Sequence, residues 1–133
     1  MARILVVDDS PTETEAFRSM LEKNGHEVLT AENGADGVAL ARKEKPDVVL
    51  MDIVMPGLNG FQATRQLTKD PETQHIPVII VTTKDQETDR VWGKRQGASG
   101  YLVKPVAEAT LLSEIASAMA GCYASKRAAA EHS

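Results

Sequence analysis

The stretch that decides the fold is Val48-Val49-Leu50-Met51-Asp52, a continuous apolar run that ends on an aspartate. A short run of this kind predicts a strand buried on both faces, which is typical of parallel sheets. The run Ile4-Leu5-Val6-Val7 has the same character and ends on Asp8 and Asp9. The two runs therefore predict buried strands that bring three carboxylates to a shared site.

Strand-like runs alternate with helix-like segments along the whole chain. Residues at helical spacing, such as Phe17 and Leu21, separate one strand from the next. The alternation predicts an α/β fold of five βα units, a doubly wound parallel sheet with helices on both faces. The predicted strands are Ile4–Val7, Val28–Thr30, Val48–Met51, Val78–Val81 and Tyr101–Val103.

Capping signals agree with this periodicity. Ser10-Pro11-Thr12-Glu13 offers an N-cap serine, a proline at the first helical position and a glutamate that can complete a capping box. Asn24-Gly25 and Gly97 supply left-handed stops at helix ends. Asn33 is a candidate N-cap for the second helix.

Length and composition place the chain among ordinary single-domain proteins. The 133 residues carry a net charge of −4, which argues against binding of nucleic acid through electrostatic attraction to its phosphates. The lone Cys122 excludes an internal disulfide and indicates a reducing compartment. No apolar stretch approaches the roughly 20 residues that span a bilayer. We expect a cytoplasmic protein with one domain over residues 1–121 and a tail over residues 122–133, helical or disordered.

The aspartates at the strand ends pose an electrostatic problem. Carboxylates brought close together repel one another, and burial increases the cost, unless a divalent cation neutralises them. Magnesium suits an oxygen-only site that leaves room for a phosphate. The runs that follow end with Thr82-Thr83 and with Lys104-Pro105, so a hydroxyl and an ammonium reach the same edge. The set indicates phosphoryl chemistry at a magnesium site.

These residues, in this order, resemble a known family. Asp8-Asp9, Asp52 followed by Met55-Pro56-Gly57, Thr82-Thr83 and Lys104-Pro105 are similar to the receiver domain of bacterial response regulators. The stretch from Gly97 to Pro105 resembles the chemotaxis receiver in particular. The resemblance covers about residues 3–120 and implies a flavodoxin-like sheet with strand order 2-1-3-4-5. It also implies a switch protein that catalyses only its own phosphorylation and dephosphorylation.

The resemblance assigns the phosphoryl chemistry to particular residues. Asp52 would be the nucleophile that accepts a phosphoryl group from a phosphohistidine of a sensor histidine kinase. Asp9 and Asp52 would ligate Mg²⁺ directly, Asp8 directly or through water, and the backbone carbonyl of Val54 would be the third protein ligand. Lys104 would pair with Asp52 before the reaction and with the phosphate afterwards.

The resemblance also implies a switch. Thr82 would move toward the phosphate, and Tyr101 would turn inward to fill the space that Thr82 leaves. The bistable element would be the face made by helix 4, strand 5 and helix 5, where a motor or regulatory protein binds. Helix capping for Asp8-Asp9, a turn position for Lys104 and simple packing for Tyr101 are the alternatives.

Two longer stretches, Asp52–Lys69 and Val81–Gly97, resemble the stand-alone receivers of the chemotaxis-like system that controls type IV pili and twitching motility. A phosphate sink that competes for a shared kinase stays open as an alternative. So does a phosphatase of the haloacid dehalogenase type, although here the acids after the first strand are adjacent and the chain shows no cap domain.

A few residues are expected to affect the lifetime of the phosphoryl group or the binding of a protein partner. Val54 and Lys84 flank the predicted path of the water that hydrolyses the acyl phosphate, and an apolar Val54 cannot hold that water by a hydrogen bond. We expect a phosphoryl lifetime of minutes rather than seconds. Trp92 is expected to pack in the core, unless Val91 takes that place and leaves Trp92 exposed as a partner anchor. Cys122 is expected to be an inert thiol.

Overall fold

The chain forms a five-stranded parallel sheet with helices on both faces. The structure is a computed structural model that describes residues 2–132, with side chains for residues 2–121. The strand order is β2-β1-β3-β4-β5, so the predicted fold and order are confirmed. The strands are β1 (Arg3–Val7), β2 (Glu27–Ala31), β3 (Val48–Met51), β4 (Val78–Thr82) and β5 (Gly100–Val103).

Each strand is followed by a helix, which gives the five predicted βα units. The helices are α1 (Pro11–Lys23), α2 (Gly34–Glu44), α3 (Gly60–Lys69), α4 (Glu87–Arg95) and α5 (Glu108–His132). The predicted boundary at residue 121 lies within α5, and the division into domain and tail stays a prediction. The side chain of Cys122 lies outside the described residues. Within the described residues, no helix is long and apolar enough to cross a membrane.

The sheet separates two apolar cores, one on each face. The first holds Leu5 and Val7 of β1 against residues of α2 and α3, such as Ala41 and Leu67. The second holds alternate strand residues against α1 and α5, such as Phe17 and Leu111. The alternation follows from the pleat, which sends successive side chains to opposite faces. Burial on both faces, predicted for every strand, holds for the central strands β1, β3 and β4, whereas β2 and β5 are half-exposed edges.

The helix caps match the sequence signals with one exception. Asn33 caps α2 through the N–H of Asp36, and Gly25 and Gly97 adopt the positive φ expected of helix stops. Ser10 accepts a hydrogen bond from the N–H of Glu13, as predicted. The predicted second bond of the capping box, from the N–H of Ser10 to the Glu13 carboxylate, is not formed, so that prediction is wrong.

The broken capping box has a simple cause. The N–H of Ser10 donates to Asp8 Oδ1 at 2.9 Å, so the Glu13 carboxylate is not needed there. Its oxygen instead accepts a hydrogen bond from the Lys104 ammonium. Because an ionised donor makes the stronger bond, the long-range partner prevails over the local one.

The core-packing expectation for α4 is wrong. Trp92 is 48% exposed and Val91 is 43% exposed. The buried residue of this helix is Gly93, whose missing side chain lets the backbone approach Ile80 and the ring of Tyr101. Both large apolar side chains of α4 therefore face outward.

Candidate functional site

The carboxylates of Asp8 and Asp52 meet because their strands are neighbours. Val7 pairs with Met51 in the parallel β1–β3 ladder, and the N–H of Asp52 donates to the carbonyl of Val7 at 3.0 Å. Asp8 and Asp52 therefore follow the strand ends side by side. Both are buried, at 3% and 8% exposure, so their charges are poorly screened by water.

Lys104 follows β5, at the edge of the sheet, and its side chain reaches the same site. Its N–H donates to the carbonyl of Thr82 at 2.8 Å, which continues the β4–β5 ladder to the strand ends. The ammonium contacts Asp8 Oδ2 at 2.8 Å and lies 3.7 Å from Asp52 Oδ2. The side chain is 8% exposed, so a turn position on the surface does not describe it.

Glu13 is the site residue that the sequence did not predict. Its carboxylate hydrogen-bonds the Lys104 ammonium beside Asp8. Carboxylate oxygens of Asp8, Glu13 and Asp52 all lie within 4.8 Å of one another. The sequence feature that could have identified Glu13 is its position, five residues after Asp8, on the first turn of α1. The same position also predicts the capping box, which is why it does not by itself identify Glu13 as a site residue.

The donor set fits a hard divalent cation. Three carboxylates share one ammonium, so a net negative charge is left, and all the candidate ligands are oxygen atoms. Asp9, a predicted direct ligand, is exposed and is not a member of the cluster. Its role and that of the Val54 carbonyl stay predictions.

Burial and neighbouring charge shift the titration of the central groups. Burial raises the pKa of Asp52, helped by the charge of Asp8 and opposed by Lys104. Burial alone would lower the pKa of Lys104, but hydrogen bonds to Asp8 and Glu13 outweigh it and raise that pKa. Lys104 is therefore firmly cationic, and it supplies the positive charge that makes an ionised Asp52 tolerable.

Thr82 and Tyr101 lie on the neighbouring strands β4 and β5. Thr82 is completely buried, and its hydroxyl accepts a hydrogen bond from the N–H of Lys84 at 3.4 Å. The Tyr101 hydroxyl donates to the carbonyl of Lys84 at 2.8 Å. The guanidinium of Arg90 lies 5.2 Å from the centre of the tyrosine ring. Both predicted switch residues thus contact the same residue of the loop after β4.

The arrangement suits transfer of a compact anion to a carboxylate. Asp52 offers a buried carboxylate oxygen, and Lys104 and Thr82 offer donors at the same ends of the strands. The open side of the site is marked by Val54, which is 55% exposed. These donors and the carboxylate are suited to a compact anion such as a phosphoryl group.

A scan against family models matches residues 4–116 to the response regulator receiver domain. The match includes every predicted site residue from Asp8 to Lys104. Among curated proteins, Protein PilH of Pseudomonas aeruginosa is 78% identical over 121 residues, which is 91% of this chain and 100% of PilH.

Solved structures agree with the family model. Chemotaxis protein CheY4 of Vibrio cholerae superposes with a TM-score of 0.83 at 33% identity, over 89% of this chain and 98% of that chain. The receiver domain of a sensor histidine kinase from Pseudomonas aeruginosa has a TM-score of 0.83 at 28% identity, over 90% of this chain and 98% of that chain. That domain was solved with a magnesium ion coordinated in its active site cleft.

Proposed function

Because the chain belongs to the response regulator receiver domain family, we propose that it accepts a phosphoryl group on Asp52 from a sensor histidine kinase. The observation that carries the proposal is the position of Asp52, buried at the end of β3 and 3.7 Å from the Lys104 ammonium. A buried carboxylate beside a fixed cation is suited to attack a phosphorus atom and to keep the product anion stabilised.

The transfer exchanges one bond to phosphorus for another. An oxygen of Asp52 attacks the phosphorus of the phosphohistidine, the P–N bond breaks, and the imidazole recovers its electron pair. Hydrolysis is a separate step, in which a water oxygen attacks the phosphorus, the bond between phosphorus and the Asp52 oxygen breaks, and inorganic phosphate and the free carboxylate are released. Lys104 holds the transferred oxygens by charge-assisted hydrogen bonds, and the buried hydroxyl of Thr82 provides a further donor.

We propose that Asp8, Asp52, Asp9 and the backbone carbonyl of Val54 hold Mg²⁺ at this edge of the sheet. When bound, the ion neutralises carboxylate charge and the charge that develops on the phosphoryl oxygens. Asp8 is oriented for this role, since its Oδ1 accepts from the N–H of Ser10 at 2.9 Å. The N–H of Ile53 similarly orients Asp52 Oδ1 at 2.8 Å.

The output is a change in the face formed by α4, β5 and α5. A phosphoryl group adds about −1.5 to −2 charge and strong acceptor oxygens. Thr82 moves toward these oxygens, which withdraws its hydroxyl from the N–H of Lys84. Since Lys84 also binds the Tyr101 hydroxyl, the change is passed to β5 and α4. A motor or regulatory protein binds this face, where Trp92 and Val91 are exposed.

The biological setting is control of type IV pili and twitching motility, in the cytoplasm. The identity of 78% to PilH supports this assignment. A pull-down with and without beryllofluoride separates a signalling output from a phosphate sink. A partner retained only with beryllofluoride supports the output role, whereas the absence of any such partner supports the sink.

The phosphoryl acceptor is tested by transfer from a radiolabelled histidine kinase. We expect label on the wild type and on Asp47→Asn, and none on Asp52→Asn. Asp47 is a matched control, because it precedes β3 at the other end of the strand that Asp52 follows, and its carboxylate accepts a hydrogen bond from the N–H of Arg3. Equal labelling of Asp52→Asn and the wild type would refute Asp52 as acceptor.

A further inference from the structure

The ammonium of Lys104 is held by residues other than the proposed phosphoryl acceptor. It donates to Asp8 and to Glu13, and its distance of 3.7 Å from Asp52 exceeds that of a hydrogen bond. An ammonium has three donors, and two of them are already used. The residue that must stabilise a phosphoryl group is thus engaged elsewhere in this state.

The two carboxylates that hold Lys104 differ in exposure. Asp8 is 3% exposed, and both of its oxygens are engaged, one by the N–H of Ser10 and one by the ammonium. Glu13 is 41% exposed in its side chain and rises from the first turn of α1 on a longer arm. Its contact with Lys104 is therefore the one that can be released at low cost.

Glu13 also lies close enough to Asp52 to oppose an incoming anion. Their carboxylate oxygens are within 4.8 Å, with Lys104 bound between the two side chains. A phosphoryl group on Asp52 therefore meets a competitor for the ammonium and a like charge at the same place. Both effects act against phosphorylation and favour loss of the phosphoryl group.

We propose that Glu13 is a positioning residue that holds Lys104 away from Asp52 and so restrains phosphorylation. The proposal rests on the proposed function, since it concerns the same reaction. A phosphoryl group on Asp52 competes with Glu13 for the position of the ammonium, and Glu13 regains its full contact when the group is lost. The strength of the contact between Glu13 and Lys104 therefore affects the rate at which Asp52 is phosphorylated.

The test compares Glu13→Gln with the wild type during phosphorylation by acetyl phosphate at saturating Mg²⁺. The Asp52 oxygen attacks phosphorus and acetate leaves with the electrons of the broken P–O bond. We expect uptake to be roughly two- to fivefold faster in Glu13→Gln, the range for one partly exposed charge pair. Glu15→Gln is the matched control, because Glu15 is on the same helix but pairs with Arg18 rather than with Lys104.

A positioning role must operate through Lys104. In a Lys104→Met background, Glu13→Gln is expected to change the uptake rate by much less than in the wild type. A crystal structure of Glu13→Gln gives a readout apart from activity, in which Lys104 Nζ moves to within hydrogen-bond distance of Asp52. Unchanged or slower uptake, the same acceleration without Lys104, or an unmoved ammonium would each overturn the proposal. If the wild type itself takes up no phosphate, the proposed function fails instead.

Discussion

The Tyr101 hydroxyl donates a hydrogen bond to the backbone carbonyl of Lys84, at 2.8 Å. Lys84 is only two residues beyond Thr82, and its own N–H donates to the Thr82 hydroxyl. The two bonds connect the buried end of β4 with the half-buried β5 through one residue. We therefore expect a displacement of Thr82 to act on Tyr101 through Lys84, and the tyrosine ring also lies close to Arg90 and Gly93.

The environment of Tyr101 predicts a late ionisation. Burial, together with the nearby charge of Asp89, raises the pKa of its hydroxyl from 10.0 to about 12, against the opposing effect of Arg90. We expect the ultraviolet tyrosinate signal of Tyr101, measured as wild type minus Tyr101→Phe in stopped-flow pH jumps, to appear near pH 12. A Tyr101 signal centred at pH 10 would show that the hydroxyl is free in water.

The same shift has a consequence for stability. Because the folded pKa is above the unfolded one, the folded state keeps the proton more tightly. Tyr101 ionisation therefore leaves stability unchanged below about pH 10 and lowers it between about pH 10 and 12. Tyr101→Phe is expected to lack this part of the alkaline loss in urea unfolding. Parallel losses in the two proteins would contradict the assignment.

Val54 predicts a long-lived phosphoryl group. Its side chain is 55% exposed two residues after Asp52, where it cannot orient water by a hydrogen bond. We expect a half-life of minutes for the purified phosphoprotein, and a several-fold shorter one for Val54→Asn, whose amide can hold the water. Val91→Asn, an equally polar change at an exposed valine of α4, controls for surface effects. A wild-type half-life of a few seconds would contradict this prediction.

Gly60 predicts a steric requirement beneath the acceptor. A Cβ at this position would lie 2.0 Å from the backbone oxygen of Asp52 and 2.7 Å from Ile53 Cα. Because backbone atoms cannot move aside cheaply, Gly60→Ala is expected to lower the free energy of unfolding by about 2 kcal/mol or more and to slow phosphorylation. Gly121→Ala is the control, because a Cβ there would meet no atom within 4 Å among the residues whose side chains the structure describes. Equal stability of Gly60→Ala and the wild type in urea unfolding would refute the requirement.

Much of the fold was predictable because its signals are local. The apolar run Val48–Met51 forms the predicted buried strand, and Asn33 caps α2 through its own side chain, as its residue type predicts. The edge to which Asp8, Asp52 and Lys104 are delivered followed from the geometry of parallel sheets. The strand order and the residue roles, by contrast, came with the family resemblance.

The residues that sequence reasoning misplaced are those with two competing partners. The sequence position of Glu13 is equally compatible with a capping box. In the fold, Asp8 takes the N–H of Ser10, and the partner of Glu13 is Lys104. In α4, helical periodicity offered Trp92 or Val91 to the core. The close approach of the helix backbone to Tyr101 placed Gly93 there instead, and helical spacing cannot predict such an approach.

The account depends most on Asp52 as the phosphoryl acceptor. The direct measurement is the intact mass of the protein after incubation with acetyl phosphate and Mg²⁺, for the wild type, Asp52→Asn and the control Asp47→Asn. We predict one added phosphoryl group on the wild type and on Asp47→Asn, and none on Asp52→Asn. When Mg²⁺ is chelated before the reaction, we predict that none of the three proteins gains a phosphoryl group. Equal phosphorylation of Asp52→Asn and the wild type would contradict the account.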